Sequence, residues 1–375
     1  MRIRIENGIM PKGVVKLPPS KSEAIRAALL LGLSGEDPRR AVEGFDAPFC
    51  DDLNCALLAA EKLDGAFVGE SAALMRMLIP VQAALFGRVS VLADETLLKR
   101  GFGEIEECLG VSLTPAPGTA FIDARAPITG DRFTIDCSRT SQFLSGLLIA
   151  LPLLDRECEL IVKNGLVSKP SAEMTLDFVR LFGGAIEETE TGYRTFPSAY
   201  RAPEVIPVTG DASYAAVFEA MNVLGGEVNV VGKDENTRQP DKDFLKYALL
   251  RDADISDCPD IAPLLAAVAC SRAGDTVIRG TARLRTKESD REAGAVCLIR
   301  DLGGEAEAGR GCVIVHGGKR LSGGECRVQN DHRLAFAAAV MALISDSPVS
   351  FEGAECAAKS AASFWEDCKE LGIVN

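Results

Sequence analysis

The chain has 375 residues, of which 47% are hydrophobic and 25% are charged, and its formal net charge is −13. This composition is typical of a globular protein, and the length exceeds what one ordinary core accommodates, so we expect two domains. No apolar run is long enough to span a membrane, and an acidic chain is a poor match for nucleic acid or an anionic membrane, so we expect neither partner.

Cysteine and histidine usage argues against a metal site. The chain has twelve cysteines but no Cys-x-x-Cys pair, and its only histidines are His316 and His332. Reduced thiols in a cytoplasmic protein are the simplest account. The first ten residues, MRIRIENGIM, contain no apolar signal-peptide segment, which agrees with a cytoplasmic location. We therefore expect no metal and no cofactor.

The first predicted helix lies in the stretch KLPPSKSEAIRAALLL at residues 16–31. Two prolines precede Ser20, Lys21 and Ser22, and Arg26 lies one turn into an apolar helical pattern. Free N–H groups and the helix dipole favour anions at a helix N-terminus, so Lys21 and Arg26 make this start a candidate anion site. An ordinary serine cap with two solvated cations explains the same residues.

Five further segments repeat this plan of a polar cap, a small-residue apolar helix and a short strand-like run. The six apolar helices begin, in chain order, near Ser22, Ser71, Ser141, Ser213, Asp260 and Asp331. A second, more amphipathic helix begins 28 to 33 residues after each of these starts, near Asp51, Glu104, Ser171, Asp241, Arg291 and Ser363. The first helices are apolar almost all round, so we expect them to be buried.

A Pro-rich stretch around residues 200–210 divides the six repeats into three and three. This division predicts two α/β domains with three repeats each. If the repeats are equivalent, the helix starts that carry Lys21, Arg26, Arg76 and Arg333 lie on comparable faces. Such faces would focus positive potential on an anionic ligand.

Ten short motifs follow one another along the chain. They are SKSEAIR (20–26), ESAALMR (70–76), LLKRGF (97–102), SRTSQF (138–143), LVSKPS (166–171), VTGDAS (208–213), CPD (258–260), LRTKESDR (284–291), NDHR (330–333) and AAK (357–359). In this order they resemble the 5-enolpyruvylshikimate-3-phosphate synthase family of the enolpyruvyl transferase superfamily, and the resemblance covers nearly the whole chain.

The resemblance implies an α/β fold of two domains, a two-domain inside-out α/β barrel. Each domain has three βαβαββ units around buried parallel helices, whose N-termini face an interdomain cleft. Residues 18–208 would form the domain on the shikimate 3-phosphate side. Residues 1–17 and 209–375 would form the domain on the phosphoenolpyruvate side, with the catalytic carboxylates. We expect a monomer whose domains close on the ligands.

The implied reaction transfers the enolpyruvyl group of phosphoenolpyruvate to the 5-hydroxyl of shikimate 3-phosphate and releases phosphate. It proceeds by addition and elimination, without a metal or a covalent enzyme intermediate. The implied partners are therefore these two small molecules. Both carry a phosphate and a carboxylate, which suits a site built from hydroxyls, helix N-termini and arginines.

The resemblance also carries site residues over, position by position. Those matched to shikimate 3-phosphate are Ser22 and Arg26 at its carboxylate, Thr140, Ser141 and Ser168 at its phosphate, and Gln142, Asp260 and Lys287. Those matched to phosphoenolpyruvate are Lys21, Arg76, Arg100, Gln142, Arg291, Arg333 and Lys359. The matched catalytic residues are Asp260, Glu288 and Lys21, with Lys21 or Lys287 as proton partner. Which carboxylate gives a proton and which takes one is left open.

The ESAALMR motif departs from the family pattern. Ala72 and Ala73 occupy positions where the family usually has glycine and a hydroxyl residue. That glycine lies close to phosphoenolpyruvate, and a Cβ would narrow the pocket. We therefore expect the inhibitor glyphosate to bind poorly, and a low-micromolar inhibition constant would contradict this expectation. Ser171 and Arg283 also depart from the family pattern. We expect these departures to affect catalytic efficiency more than the type of reaction.

Two other functions are compatible with parts of the sequence. A UDP-N-acetylglucosamine enolpyruvyl transferase usually has a reactive loop cysteine and a Lys-Asn start, but here the start is Lys21-Ser22 and no cysteine lies near Arg100. A non-catalytic anion-binding scaffold of the same fold would explain the altered ESAALMR motif. Taken singly, KESDR and NDHR also fit a solvated ion-paired helix start and a plain cap. The ordered set of motifs favours the transferase.

Overall fold

The computed structural model describes residues 1–46, 48–116 and 119–374. Its α-helices are α1 (Lys21–Leu33), α2 (Asp51–Lys62), α3 (Ala72–Phe86), α4 (Glu95–Leu98), α5 (Gly103–Leu109), α6 (Gln142–Ala150), α7 (Lys169–Leu181), α8 (Ala212–Val223), α9 (Phe244–Ala248), α10 (Ala262–Cys270), α11 (Arg291–Asp301), α12 (His332–Ala342) and α13 (Phe364–Glu370). Short 3₁₀ helices lie at Pro38–Val42, Leu151–Leu153, Pro240–Asp243, Pro259–Ile261, Ala282–Thr286 and Ala354–Lys359.

The β-strands alternate with these helices. They are β1 (Arg2–Ile5), β2 (Lys12–Lys16), β3 (Ala66–Gly69), β4 (Arg88–Ala93), β5 (Phe121–Arg125), β6 (Arg132–Asp136), β7 (Cys158–Lys163), β8 (Ala185–Glu188), β9 (Gly192–Phe196), β10 (Glu227–Val231), β11 (Asp252–Asp254), β12 (Gly274–Arg279), β13 (Glu305–Ala308), β14 (Cys312–Gly317), β15 (Gly324–Glu325) and β16 (Val349–Glu352).

The chain forms two compact units. The N-terminal unit comprises Pro19–Phe45 and Asp51–Val208, and the C-terminal unit comprises Met1–Pro18, Asp46–Cys50 and Thr209–Asn375. The short segment Asp46–Cys50 belongs to the C-terminal unit although the chain on either side of it does not. The carboxylate of Asp46 pairs with the ammonium of Lys16 at 2.6 Å. No local sequence pattern predicts this contact.

The N-terminal unit has two small mixed sheets, with strand orders β3-β4-β5 and β6-β7-β9-β8. In each sheet the first two strands are parallel, and a buried helix, α3 or α6, connects them. The helix α3 packs against both α1 and α6. Gly146 permits the close approach of α6 to α3, since a Cβ at this position would lie 2.7 Å from the carbonyl oxygen of Arg76.

The C-terminal unit repeats this organisation with strand orders β11-β12-β14-β13, β1-β16-β15 and β10-β2. The parallel pair β11–β12 is connected by α10, and the parallel pair β15–β16 is connected by α12. The helices α8, α10 and α12 pack against one another in the core. All eleven residues of α12 are buried, because its sequence HRLAFAAAVMA is apolar and small on nearly every face.

The predicted repeats are confirmed at the level of elements. The first-type helices α1, α3, α6, α8 and α12 each begin one residue from the predicted start. Near Asp260 a 3₁₀ turn, Pro259–Ile261, comes first, and α10 follows it directly. Of the second-type helices, α2 and α11 begin at the predicted residues Asp51 and Arg291. Near Asp241 the chain again forms a 3₁₀ turn before the short helix α9.

All twelve cysteines are free thiols. Among the residues that the structure describes, no helix is both long enough and apolar enough to cross a membrane.

Candidate active site

Arg291 lies at the centre of a carboxylate cluster in the C-terminal unit. It is the first residue of α11 and is only 2% exposed. Its Nε and Nη2 donate to the two carboxylate oxygens of Asp331, at 2.9 and 3.1 Å. Nη1 donates to Asp260 at 2.8 Å, and Nη2 also donates to Glu288 at 2.6 Å. The planar guanidinium thus holds three carboxylates, two of them predicted catalytic groups, in fixed positions.

The electrostatics of this cluster keep its central pair charged. Burial alone would lower the pKa of Arg291, but the surrounding carboxylates outweigh it and raise that pKa above its ordinary value. Burial alone would likewise raise the pKa of Asp260. The cations Lys287, Arg291 and Arg333 outweigh burial, so the pKa of the Asp260 carboxyl lies well below its usual range. Asp260 is therefore ionised at neutral pH.

Two lysines border the same carboxylates. The ammonium of Lys287 lies 3.1 Å from Asp260, and that of Lys359 lies 3.4 Å from Glu288. The side chain of Lys359 is largely buried and that of Lys287 is partly exposed. The structure thus brings six predicted site residues into one cluster: Asp260, Lys287, Glu288, Arg291, Arg333 and Lys359.

Asp331 organises this cluster, although its sequence context, NDHR, predicts only a helix cap. It does cap α12, because its carboxylate accepts the N–H of Arg333 at 2.9 Å. The same carboxylate holds Arg291 through two bonds and accepts the hydroxyl of Ser289 at 2.9 Å. Gln329 and Asn330 just before it have positive φ values of 52° and 54°. Two such residues in succession cost free energy, which the buried ion pairs of Asp331 offset.

Arg333 has a different environment from Arg291. It is 7% exposed, and its nearest paired carboxylate, Asp241, lies 3.8 Å from Nη1. Nε and Nη1 of Arg333 have no hydrogen-bond partner among the residues that the structure describes. A buried guanidinium with unused donors is costly to maintain, and an anionic ligand would satisfy it.

In the N-terminal unit, the predicted residue Lys21 begins α1 and its ammonium lies 2.9 Å from the carboxylate of Asp52. Asp52 is 6% exposed and lies in the first turn of α2. The predicted cap residue Ser22 is exposed, while Ser20 is the actual N-cap and accepts the N–H of Glu23. The residue Asp52 was missed by sequence reasoning, because nothing local links it to Lys21, 31 positions away.

Arg26 is buried and crosslinks three segments of the N-terminal unit. Its Nε donates to the hydroxyl of Thr175 at 2.8 Å, and Nη1 donates to the carbonyl oxygen of Ser22 at 2.6 Å. Its Nη2 donates to the carbonyl oxygen of Ser171 and, more weakly, to the hydroxyl of Ser145. Burial lowers the pKa of Arg26 to about 10, so it stays charged at neutral pH. Its assignment to the shikimate carboxylate stays a prediction.

The start of α6 brings further predicted residues together. Arg76 donates to the side-chain oxygen of Gln142 at 2.9 Å, and its guanidinium lies 5.4 Å from the ring centroid of Phe143. The hydroxyl of Thr140 accepts the N–H of Gln142 at 3.2 Å, and Ser141 is the N-cap of α6.

The remaining predicted residues lie at element ends. Ser168 is the residue before α7 and has a φ of 51°, in the left-handed region. Arg100 is half-buried and follows α4. Ala72 and Ala73, at the altered motif, are half-buried in the first turn of α3, after the N-cap Ser71. Within the described ranges no group of three or more His, Cys, Asp or Glu side chains is arranged to hold a metal ion.

Known proteins resemble this chain over nearly its whole length. A family model described as EPSP synthase (3-phosphoshikimate 1-carboxyvinyltransferase) matches residues 54–249 and 247–368. Proteins named 3-phosphoshikimate 1-carboxyvinyltransferase from Methanocorpusculum labreanum and Clostridium perfringens are 31% and 30% identical to the chain, with 96% of each chain covered. A solved structure of EPSP synthase from Acinetobacter baumannii superposes with a TM-score of 0.76 at 18% identity, covering 99% of this chain and 98% of the other.

The fold and the family match together define the class of protein, a two-domain α/β transferase. The chain belongs to the EPSP synthase family.

Proposed function

We propose that this chain transfers the enolpyruvyl group of phosphoenolpyruvate to the 5-hydroxyl of shikimate 3-phosphate and releases phosphate. Family membership supports the reaction type. At the level of residues, the proposal rests on Arg333. Its buried guanidinium has unused donors, and it lies near the ionised carboxylate of Asp260. Such an arrangement suits a reaction in which an anion is bound next to a group that accepts a proton.

The cations of the C-terminal unit are assigned to phosphoenolpyruvate. Arg333 has free donors for a carboxylate or a phosphate, and Lys359 brings an ammonium to the same cluster. Arg291 donates its hydrogen bonds to carboxylates of the protein. Its proposed role is therefore to hold Asp260 and Glu288 in position rather than to bind the ligand through every N–H group. In the N-terminal unit, Lys21, Arg76, Arg100 and Gln142 are assigned to phosphoenolpyruvate as well.

The hydroxyls of the N-terminal unit are assigned to shikimate 3-phosphate. Thr140, Ser141 and Ser168 lie at the starts of α6 and α7, where helix N–H groups favour a phosphate. Ser22 is exposed at the start of α1, and Arg26 is buried one turn further on. Arg26 supplies positive charge while Nε, Nη1 and Nη2 each donate to oxygens of the protein.

The proton transfers are assigned to the Asp260 cluster. In the addition step the 5-oxygen bonds to C2 of phosphoenolpyruvate, the 5-hydroxyl proton leaves, and a proton adds to C3. In the elimination step a C3 proton leaves, the double bond forms again, and the C2–phosphate bond breaks. Asp260 is ionised in the free protein, and an anion that neutralises the neighbouring cations would raise its low pKa toward that of an effective base. Lys287 lies 3.1 Å away as a proton carrier. Glu288, between Arg291 and Lys359, is the second carboxylate available.

The test is phosphate release from the purified protein with both substrates present and with each omitted in turn. Release that requires both substrates is the expected result. Absence of release, with shikimate 3-phosphate still bound in calorimetry, would instead favour the non-catalytic scaffold. Release with UDP-N-acetylglucosamine in place of shikimate 3-phosphate would favour the sister transferase.

The matched variants are Asp260→Asn and Asp257→Asn. Asp260→Asn removes the ionised carboxylate while it keeps the side-chain shape, so turnover should fall by about 10²-fold or more while shikimate 3-phosphate still binds. Asp257→Asn changes a neighbouring acidic residue that is exposed and should leave turnover close to that of the parent. Equal turnover in the two variants would contradict the role of Asp260.

Small anions are the only partners that this proposal requires, and a net charge of −13 is unfavourable for nucleic acid. We also propose that the chain acts as a monomer in the cytoplasm. Light scattering of the purified protein tests the first part, and a molecular mass of twice the 39.8 kDa chain would contradict it.

A further inference from the structure

Asp241 is a buried carboxylate that faces Arg333 in the C-terminal unit. It lies in the 3₁₀ turn Pro240–Asp243 and is 5% exposed. Its Oδ2 is 3.8 Å from Nη1 of Arg333, which is an ion pair without a hydrogen bond. Neither Asp241 nor its turn was assigned a function by the motifs of the sequence. The pair therefore balances charge, but it leaves the donors of Arg333 unused.

The other groups that face Asp241 come from two elements, the start of α8 and the 3₁₀ turn Pro259–Ile261. The hydroxyl of Ser213, in the first turn of α8, donates to the same oxygen of Asp241. The carboxylates of Asp211, the N-cap of α8, and of Asp260 both repel its charge. The thiol of Cys258 is also close, and burial together with Asp241 raises the pKa of that thiol, so it is neutral.

These neighbours bring the pKa of Asp241 close to neutral pH. Burial and the two carboxylates raise its pKa, Arg333 and Ser213 oppose the rise, and the pKa of Asp241 is about 6. At neutral pH the free protein thus holds Asp241 mostly ionised, with Arg333 as its principal counter-charge. Any change that removes the attraction of Arg333 moves this carboxyl toward protonation.

We propose that Asp241 is the counter-ion of Arg333 in the free protein and takes up one proton when an anionic ligand binds to Arg333. The ligand anion fills the unused donors of Arg333 and neutralises its charge. Asp241 then loses its attraction to Arg333 and is repelled by the ligand, and both effects favour the neutral acid. The proton comes from solvent, and no other bond is made or broken.

Ser213 can form a hydrogen bond with Asp241 in both protonation states of the carboxyl group. A hydroxyl can donate to the ionised carboxylate and can rotate to accept from the protonated one. The net charge of the Arg333 pocket then stays nearly constant, because an incoming negative charge is matched by an incoming proton. The inference rests on the proposed assignment of Arg333 to phosphoenolpyruvate.

The test measures proton uptake during binding of 2-phospholactate, which keeps both anionic groups of phosphoenolpyruvate and has a methyl group in place of its vinyl CH2. Titration calorimetry is run at about pH 7 with saturating shikimate 3-phosphate, in buffers of different ionisation enthalpy. The parent protein should take up about half a proton or more per site beyond the uptake of Asp241→Asn. The comparison between the two proteins cancels the titration of the ligand's own phosphate.

The control is Asp243→Asn, which removes a carboxylate of the same 3₁₀ turn that pairs with Lys246 and not with Arg333. Its proton uptake should equal that of the parent protein. Equal uptake by the parent and by Asp241→Asn, with the ligand bound by both, would overturn the inference. Absence of binding by the parent would instead count against the proposed function.

A second variant keeps the inference testable if Asp241→Asn does not fold. Ser213→Ala removes the hydrogen bond that favours the ionised carboxylate, so more Asp241 is already protonated before the ligand binds. Uptake should therefore fall near pH 7 and return near pH 8, about one unit higher. An unchanged pH profile of proton uptake in Ser213→Ala would also overturn the inference.

Discussion

Arg26 and Arg333 are both buried arginines, yet their donors are used in opposite ways. Arg26 donates to hydroxyl and carbonyl oxygens of Thr175, Ser22 and Ser171, so it crosslinks the N-terminal unit. Arg333 keeps Nε and Nη1 without a partner among the described residues. Since an unsatisfied buried donor costs free energy, the protein maintains Arg333 at a cost that a bound anion would offset. Of the two arginines, Arg333 is therefore the better candidate for contact with a ligand.

Asp331→Asn tests how much the fold depends on the cluster around Arg291. Asparagine is also a good helix cap, so the substitution keeps the cap of α12 and removes the charge that Arg291 pairs with. Breaking one partner of a buried ion pair should lower the free energy of unfolding by roughly 3 kcal/mol. Urea denaturation measures this loss.

The control for this variant is Asp290→Asn. Asp290 caps α11 through the N–H of Ala293, 3.0 Å away, but it is exposed and has no part in the cluster. Its stability should change by less than about 0.5 kcal/mol. A comparable loss in both variants would show that the charge of Asp331 adds little beyond its cap.

Helix packing positions the site at the scale of elements. The contact between α3 and α6 also sets Arg76 against Gln142, because one residue lies on each helix. Gly146 lies at this contact, where a Cβ would come within 2.8 Å of Cα of Met77. A close helix–helix approach of this kind leaves no room for even one methyl group.

Gly146→Ala should therefore destabilise the protein, although alanine favours a helix more than glycine does. Overpacking should lower the free energy of unfolding by about 1–3 kcal/mol, and it should disturb the Arg76–Gln142 hydrogen bond. Gly103→Ala, at the start of α5, is the matched control, since a Cβ there meets nothing within 4 Å. Thermal and urea unfolding compare the two. A stability gain in both would contradict the packing argument.

The stability of the whole molecule should depend on pH through Asp241. In the folded chain the pKa of this carboxyl is about 6, whereas an unfolded aspartate titrates near pH ~4. The folded state therefore binds more protons in this interval. The contribution of Asp241 to stability is greatest below the unfolded pKa and is lost as the pH rises through the folded pKa.

Asp241→Asn should remove this dependence. Relative to the parent, the variant should gain roughly 2 kcal/mol of unfolding free energy as the pH rises from about 4 to about 7. The measurement is urea denaturation of both proteins at several pH values across this interval, with Asp243→Asn as the control that follows the parent. A constant difference between parent and Asp241→Asn would mean that Asp241 has an ordinary pKa in the folded chain.

The sequence by itself determined the helices of the six repeats and the family. Helix starts are local: a cap residue and an apolar period lie within a few positions of each other, so α1, α3, α6, α8 and α12 could be predicted to within one residue. The ordered motifs determined the family for the same reason, since each is a short local string. The motifs also predicted which residues belong to the Asp260 cluster, but they did not predict which side chains these residues contact.

Only the tertiary structure decided what each charged side chain touches. Asp331 and Arg291 are 40 positions apart, and Arg26 and Thr175 are 149 positions apart. Asp52 beside Lys21 and Asp241 beside Arg333 carry no local signal of these contacts. The sequence pattern is the same for a cation that binds ligand and for one that binds the protein. The difference lies in which acceptors the fold brings within about 3 Å, and these come from distant segments.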